Sequence, residues 1–270
     1  AQADLRGHVE TSYAPATLRQ PEWRDQVLAS SLRRLDTMDV LEEAPASGRS
    51  QSLEQLAFAL WSVTDLALHG FSSAIEVQDP KGAVISRFAL NLPSLEPPAR
   101  SLPVENGWRI STETTSLASA QRTLLHARRR LGYHGDVRGA LHVQVGDDYW
   151  NLPFLRGRDP YSVLFRPGSQ GSRRARGLVL LVYDPKSGEA LFSSAARAPA
   201  LQPEAVRLRL AALQSSAVQT GSRPLGFWST LRVDGAPQRT FFFGNDKALY
   251  ALGYVQVATG RYAADLVEGV

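Results

Sequence analysis

The stretch "IEVQDPKGAVISRF", Ile75 to Phe88, has a counterpart much further on, "LVYDPKSGEALFSS", Leu181 to Ser194. Each is an apolar run, then Asp-Pro-Lys, then a glycine, then a second run. An Asp at that place accepts hydrogen bonds from the backbone ahead of it, Pro presets φ for the second turn position, and Gly supplies a positive φ. The flanking runs are β-branched and alternating, so each phrase predicts a β-hairpin. In the first, Ile75 and Val77 share one strand face and Glu76 and Gln78 the other. On the return strand Ser86 and Phe88 alternate with Arg87.

The segments downstream of the two hairpins extend the parallel. After the first, "WRISTET" from Trp108 predicts a strand. "SLASAQRTLLHARRRLG" predicts a helix, because Leu117, Leu124 and Leu131 recur every seventh residue and Gly132 would stop it. "GALHVQV" and "YWNLPFL" predict two strands joined by "GDD". After the second hairpin, "QPEAVRLRLAALQSSAVQ" predicts a helix with Pro203 near its first position and a stripe of Val206, Leu210, Leu213 and Ala217. Three strands come next, "FWSTLRV", "QRTFFF" and "LYALGYVQV", with Phe241 and Phe243 on one face of the second and Phe242 on the other. Ahead of both hairpins, residues 22–41 predict an amphipathic helix striped by Leu28, Leu32, Leu35 and Met38, with Pro21 just before it. A Pro/Gly/Ser break leads to a second helix from about residue 52 to 68, ended by Gly70. The expected organisation is a helical segment over 1–70, one module over 71–160 and another over 161–270, with the join in the Gly/Pro/Arg-rich stretch 156–177.

Composition narrows the function. The formal net charge is +4, but 27 of the 30 basic residues are arginines scattered among 26 acids. Only Arg128–Arg130 and Arg173–Arg176 cluster, so no nucleic acid partner is expected. The chain has no cysteine, which removes disulfides, iron–sulfur clusters and thiol catalysis. Its five histidines show no metal-ligand spacing, and neither a nucleophile elbow nor a phosphate loop is present, so no metal, cofactor or catalytic residue is assigned. "GYHGD" places His134 beside Asp136 without a nucleophile. No window reaches the roughly 18 apolar residues of a membrane span, and the opening "AQADLRGH" is expected to be the start of a segment of something longer.

Hairpin, helix and strand meander, twice over, resembles the tandem PAS-like order of double Cache sensor regions in bacterial transmembrane histidine kinases and chemoreceptors. The residues that carry the resemblance are "IEVQDPKGAVISRF", "ALHVQVGDDYWNLPFL" and "LLVYDPKSGEALFSS". It implies an α+β fold of two tandem PAS-like modules with antiparallel sheets behind N-terminal helices. It further implies the periplasmic part of an inner-membrane protein, between transmembrane helices outside this chain. The implied function is extracytoplasmic ligand sensing, foremost for a sensor histidine kinase, in a receptor that works as a homodimer. No enzyme activity is expected of the segment itself. The alternatives are a stand-alone periplasmic binding or adaptor protein and an uncharacterised hydrolase. The break "APASGRS" interrupts the single long helix usual in the family, and the aromatic–Arg–aromatic–Asp pattern of amino-acid-binding members is absent, which leaves the ligand class open.

The first module is expected to hold the pocket. Arg87, Trp108, His142, Tyr149 and Trp150 lie on its predicted strands and are the candidate ligand-binding residues. An arginine, a histidine and several aromatics in one cavity suit a small organic anion. The plainer alternative is a solvent-facing Arg87 and a core Trp150. The Leu28–Met38 stripe is expected to pack in part on its own module and in part on a second copy.

Overall fold

The computed structural model describes residues 2–38, 55–92, 107–117, 120–132, 138–147, 149–155, 178–195, 201–220, 226–233, 236–245 and 247–255. The expected break near residue 45, the Pro-rich stretch 93–107 except Gly107, His134 and Asp136, the arginines at 173–176 and the tail after Val255 lie outside them. The chain divides into two compact units. One comprises Arg19–Asn151 and Arg156–Ser169, the other Ala1–Leu18, Leu152–Leu155 and Gln170–Val270.

The first unit is built on a five-stranded antiparallel sheet, here sheet A. Its strands are β1 (Ser73–Gln78), β2 (Val84–Leu90), β3 (Arg109–Leu117), β4 (Ala120–Leu131) and β5 (Gly139–Gly146), in spatial order β2-β1-β5-β4-β3. The second unit holds sheet B, made of β6 (Leu178–Tyr183), β7 (Ala190–Ser193), β8 (Gly226–Val233), β9 (Ala236–Gly244) and β10 (Leu249–Val255), in order β7-β6-β10-β9-β8. Counted within each sheet the order is the same, 2-1-5-4-3, and each sheet opens with one Asp-Pro-Lys hairpin. The turns work as the sequence requires. Asp79 Oδ1 accepts the N–H of Lys81 and of Ala83, each at 2.8 Å, and Gly82 has φ 82°. Asp184 accepts from the N–H of Lys186 at 3.1 Å and of Ser187 at 3.2 Å, and Gly188 has φ 74°. A register shift precedes the aspartate at the same place in both, between Val77 and Gln78 and between Val182 and Tyr183. One extra residue there twists the strand into its turn.

α1 (Gln2–His8), in the second unit, leads through a π-helical turn (Val9–Tyr13) into α2 (Ala14–Asp36). From Arg19 on, α2 belongs to the first unit and covers one face of sheet A. The expected start at Pro21 is corrected: Pro21 lies inside α2. The inner side of its first turns carries Ala14, Thr17, Gln20 and Arg24, too polar a run to register as an apolar stripe. Gln20 donates to Asn151 Oδ1 at 2.8 Å, and Arg24 pairs with Asp147 at 2.6 Å. Further along, Leu28, Leu32 and Leu35 are buried with Ile75, Val77, Leu141 and Val143, and Met38 packs against them. The stripe is thus taken by the chain's own sheet. The expected second helix is two, α3 (Leu56–Ser62) and α4 (Asp65–His69), because Thr64 caps a fresh start by accepting from the Ala67 N–H, while Gly70 ends it at φ 68° as expected.

Two further expectations are corrected. The helix predicted over 116–132 is a strand, β4, in a nine-pair ladder with β3 from Arg109↔Arg128 to Leu117↔Ala120. A seven-residue spacing is one helix face but opposite strand faces, so Leu124 and Leu131 fall on the two sides of the sheet, both buried. Ladder pairing on both edges of β4 overrides the helix propensity of its Ala, Leu and Arg residues. Arg128–Arg130 therefore do not end a helix; Arg129 ion-pairs with Asp36. "YWNLPFL" is a turn rather than a strand, as Pro153 has no N–H for a ladder.

In the second unit, α5 (Pro203–Thr220) packs Val206 and Leu213 onto Leu181, Tyr183, Phe242 and Ala251 of sheet B. The other face is aromatic, with Phe243 stacked between Phe241 at 5.8 Å and Tyr250 at 5.3 Å. Among the described residues no helix is long and apolar enough to cross a membrane.

Candidate functional site

The face of sheet A turned away from α2 is polar and buried. Period-2 alternation puts Glu76 of β1, Arg87 of β2, His142 and Gln144 of β5, and His126 and Arg128 of β4 on it. The ladders set them side by side: Glu76 opposes Arg87 on one flank and His142 on the other, and His142 opposes Arg128. Glu76, His126, His142 and Gln144 are each at most 3% exposed.

These side chains form one chain of contacts. Arg87 Nε donates to Glu76 Oε1 at 2.9 Å. His142 Nδ1 lies 3.3 Å from Glu76 Oε2, and His142 Nε2 lies 2.8 Å from His126 Nδ1. With the His142 Nδ1–H donating to the carboxylate, His142 Nε2 accepts from His126 Nδ1–H, and His126 Nε2 is left with an outward lone pair. That atom and Gln144 Oε1 are buried and hydrogen-bond to no described residue. Glu113 Oε2 stands 3.4 Å from His126 Nε2, an ion pair only if the imidazole is charged. The arrangement is a relay and not a chelate, since two ring nitrogens at hydrogen-bond distance leave no space for a cation between them.

The electrostatics fix the charge states. Burial pushes the Glu76 carboxyl up, but the hydrogen bonds and charges of His142 and Arg87 outweigh it and hold Glu76 below the ordinary carboxylate range. Burial, reinforced by the nearby His142 and Arg128, depresses the His126 imidazole to about 4, so it is neutral at physiological pH. The face therefore combines an ionised buried carboxylate, paired with arginine, and a neutral histidine whose free nitrogen is an acceptor.

Of the five candidate residues, the structure brings together Arg87 and His142, both on Glu76. Trp108 lies on the helix side, packed against that core with its Nε1 donating to Asp36 Oδ1 at 2.7 Å. Tyr149 and Trp150 stand past the end of β5 in the turn towards Leu155, the first buried and the second half-buried. Glu76, His126 and Gln144 are site residues that sequence reasoning does not single out. The alternation in "SAIEVQ" and "GALHVQV" already sets Glu76, His142 and Gln144 away from the apolar face, but reading β4 as a helix hides His126.

No family model matches the chain, and no curated protein matches it either. Among solved structures it is similar to a domain of a sensory box/GGDEF family protein from Vibrio parahaemolyticus, at 12% identity over 95% of this chain and 96% of that one, with a TM-score of 0.42. It is similar to the periplasmic domain of Vibrio cholerae LuxQ, at 12% identity, 91% and 99% coverage and a TM-score of 0.43. A third is the ligand-binding domain of the Pseudomonas aeruginosa PAO1 amino-acid chemoreceptor PctC in complex with GABA, at 13% identity, 94% and 100% coverage and a TM-score of 0.34. The architecture rests on the strand order, not on these likenesses.

Proposed function

We propose that this chain is the extracytoplasmic ligand-sensing segment of a transmembrane signal-transduction receptor, foremost a sensor histidine kinase, and that sheet A carries the ligand face. The observation that supports this reading is the buried relay with two acceptors, His126 Nε2 and Gln144 Oε1, that no described residue satisfies. A buried polar atom without a partner costs about 1–3 kcal/mol, and a ligand that supplies a hydrogen-bond donor recovers it. The ligand is accordingly a small polar molecule bearing an N–H or O–H donor, rather than an anion held by Arg87, because the buried, ionised Glu76 beside that guanidinium would repel one.

Thermal-shift screening with amino acids, amines, polyols and organic acids tests this. Donor-bearing compounds should stabilise the chain, and the effect should vanish in the His126→Leu/Gln144→Met double variant. Stabilisation by organic acids alone, lost on Arg87→Gln and kept in the double variant, would return the site to an anion pocket. The receptor context is tested on the full reading frame, where apolar spans should flank the segment and a kinase region should lie downstream. A frame without spans would favour a stand-alone binding protein.

A further inference from the structure

The second unit carries a feature that ligand sensing on sheet A does not use. An open cleft of about 320 Å³ lies under the π-helical turn, lined by Arg6, Glu10, Gly226, Phe227, Trp228 and Phe241. That volume is at the low end of small-molecule sites. We propose that it is a second ligand site, selective for a small planar aromatic carboxylate.

Charge and shape both lead there. The Trp228 ring has two guanidinium groups close to it, Arg6 at 5.5 Å and Arg239 at 5.9 Å from the centroid. Against these two cations stands one carboxylate, Glu10, which takes the Trp228 Nε1–H at 2.5 Å and the Arg6 Nε–H at 3.0 Å on the same oxygen, Oε1. The hydrogen bond from Trp228 leads the effects that lower the Glu10 pKa, so Glu10 is ionised and balances Arg6, and Arg239, beside the same ring though outside the cleft wall, is the excess cation of the three. The terminal nitrogens of Arg6 bond no described residue, and its side chain is 56% exposed, so a bidentate carboxylate partner can be met from the cleft. The remaining lining is aromatic. Trp228 and Phe241 are tilted together with centroids 5.1 Å apart, and Phe227 is half-buried beside them. A flat ring can stack there, with its carboxylate towards Arg6.

Two backbone features keep the cleft as it is. A Cβ on Gly226 would stand 2.7 Å from Phe241 Cζ and closer still to the Phe242 carbonyl, so no side chain can fill that wall. The π-helical turn brings Val9 and Ala14, five residues apart, to the same buried side and leaves Glu10 facing Trp228. Such turns are often found at functional sites. A bound carboxylate competes with Glu10 for Arg6, so occupancy of the cleft acts directly on the turn that joins α1 to α2.

The test is a titration of the ¹⁵N-labelled chain with phenylacetate, following the indole N–H signals of its five tryptophans, with that of Trp228 assigned by its loss in Trp228→Phe. Phenylacetate should shift the Trp228 signal saturably with a Kd of about 1 mM or tighter. Benzyl alcohol, benzylamine and isobutyrate should each be at least about tenfold weaker, a difference of about 1.4 kcal/mol. Arg6→Gln, and independently Arg239→Gln, should weaken phenylacetate while leaving the spectrum of the free protein overlaid on wild type. The His126→Leu/Gln144→Met variant should leave it unchanged, which separates this site from the one on sheet A. A shift that never saturates, an equal response to benzyl alcohol or benzylamine, or a titration indifferent to both arginine substitutions would overturn the proposal.

Discussion

Sheets A and B share a strand order, a hairpin and a bulge, yet corresponding faces carry opposite chemistry. Aligned on Asp79 and Asp184, Glu76 corresponds to Leu181. Its neighbours His142 and Arg128 correspond to Ala251 and Phe242, which oppose Leu181 and each other in the same pattern. One step along, Gln144 and His126 correspond to Gly253 and Thr240. On sheet B this face is an apolar bed for α5, closed by Val206 and Leu213. On sheet A the same positions hold a carboxylate, two imidazoles, an amide and a guanidinium, with the Arg87 guanidinium beside them. A sheet gains from covering such a face with apolar side chains, at roughly 25 cal/mol per Å² buried. Keeping ionisable groups there instead costs desolvation that only a dense hydrogen-bond network offsets. On the proposed reading, the scaffold serves recognition in sheet A, while the same face of sheet B is packed for stability.

The largest expected effect comes from importing the residue of one sheet into the other. Glu76→Leu puts the sheet B residue into sheet A and leaves Arg87 and His142 facing each other without their carboxylate, which should cost about 3–5 kcal/mol in urea unfolding. Leu181→Glu buries an unpaired carboxyl under α5 and should be comparably damaging. If Glu76→Leu is tolerated to within about 1 kcal/mol, the relay is not what holds this face together.

Acid should act on sheet A first. The folded His126 titrates near 4 against an ordinary 6.5, so between those values the unfolded chain binds a proton that the folded one excludes. Stability contributed by this site should be complete above pH 6.5 and should fall as pH drops towards 4. Glu76, held below its ordinary 4.5, adds a further loss below that value. Unfolding midpoints measured from about pH 7.5 to about pH 4 should show the decline in wild type, and His126→Gln should flatten its upper part. No histidine comes after His142 in the sequence, so sheet B should show no matching transition in that window.

Smaller effects belong to what the sheets share. Asp79→Ala and Asp184→Ala each remove two backbone hydrogen bonds from equivalent turns, and each should cost about 1 kcal/mol. A much larger loss at one of them would mean that the turns are not equivalent. The smallest expected effect is on association. Leu28, Leu32 and Leu35 are buried in the chain's own core, so sedimentation at micromolar concentration should give a monomer, and a tight dimer would have to use another surface.

The hairpins, the alternation of Phe241 to Phe243 and the helix over 203–220 are legible in the sequence because each is a local signal: turn chemistry, period 2, period 3.6. The edges of the site are not. In "TLLHARRR" the leucine at one position and the histidine two further share a strand face only if the segment is a strand, and its helix-forming composition conceals that. Trp108 reads as a strand residue of the pocket, but β3 brings it to the side where Asp36 of α2 accepts its N–H, a partner 72 positions away in the chain. Tyr149 and Trp150 belong to a predicted strand, whereas β5 ends at Gly146 and the backbone turns beyond it. Local pattern does not say which elements pair, and so it does not say which side of the sheet each residue faces.

Hydrogen-exchange mass spectrometry of the 270-residue chain, with and without a compound that stabilises it in the thermal screen, bears most directly on the contrast between the two sheets. The prediction is added protection over Ser73–Gln78, Ala120–Leu131 and Gly139–Gly146, with β6, β9 and β10 unchanged, and none of it in the His126→Leu/Gln144→Met variant. Protection that falls on the α5 face of sheet B, or that persists in that variant, would contradict the assignment of sheet A as the ligand face.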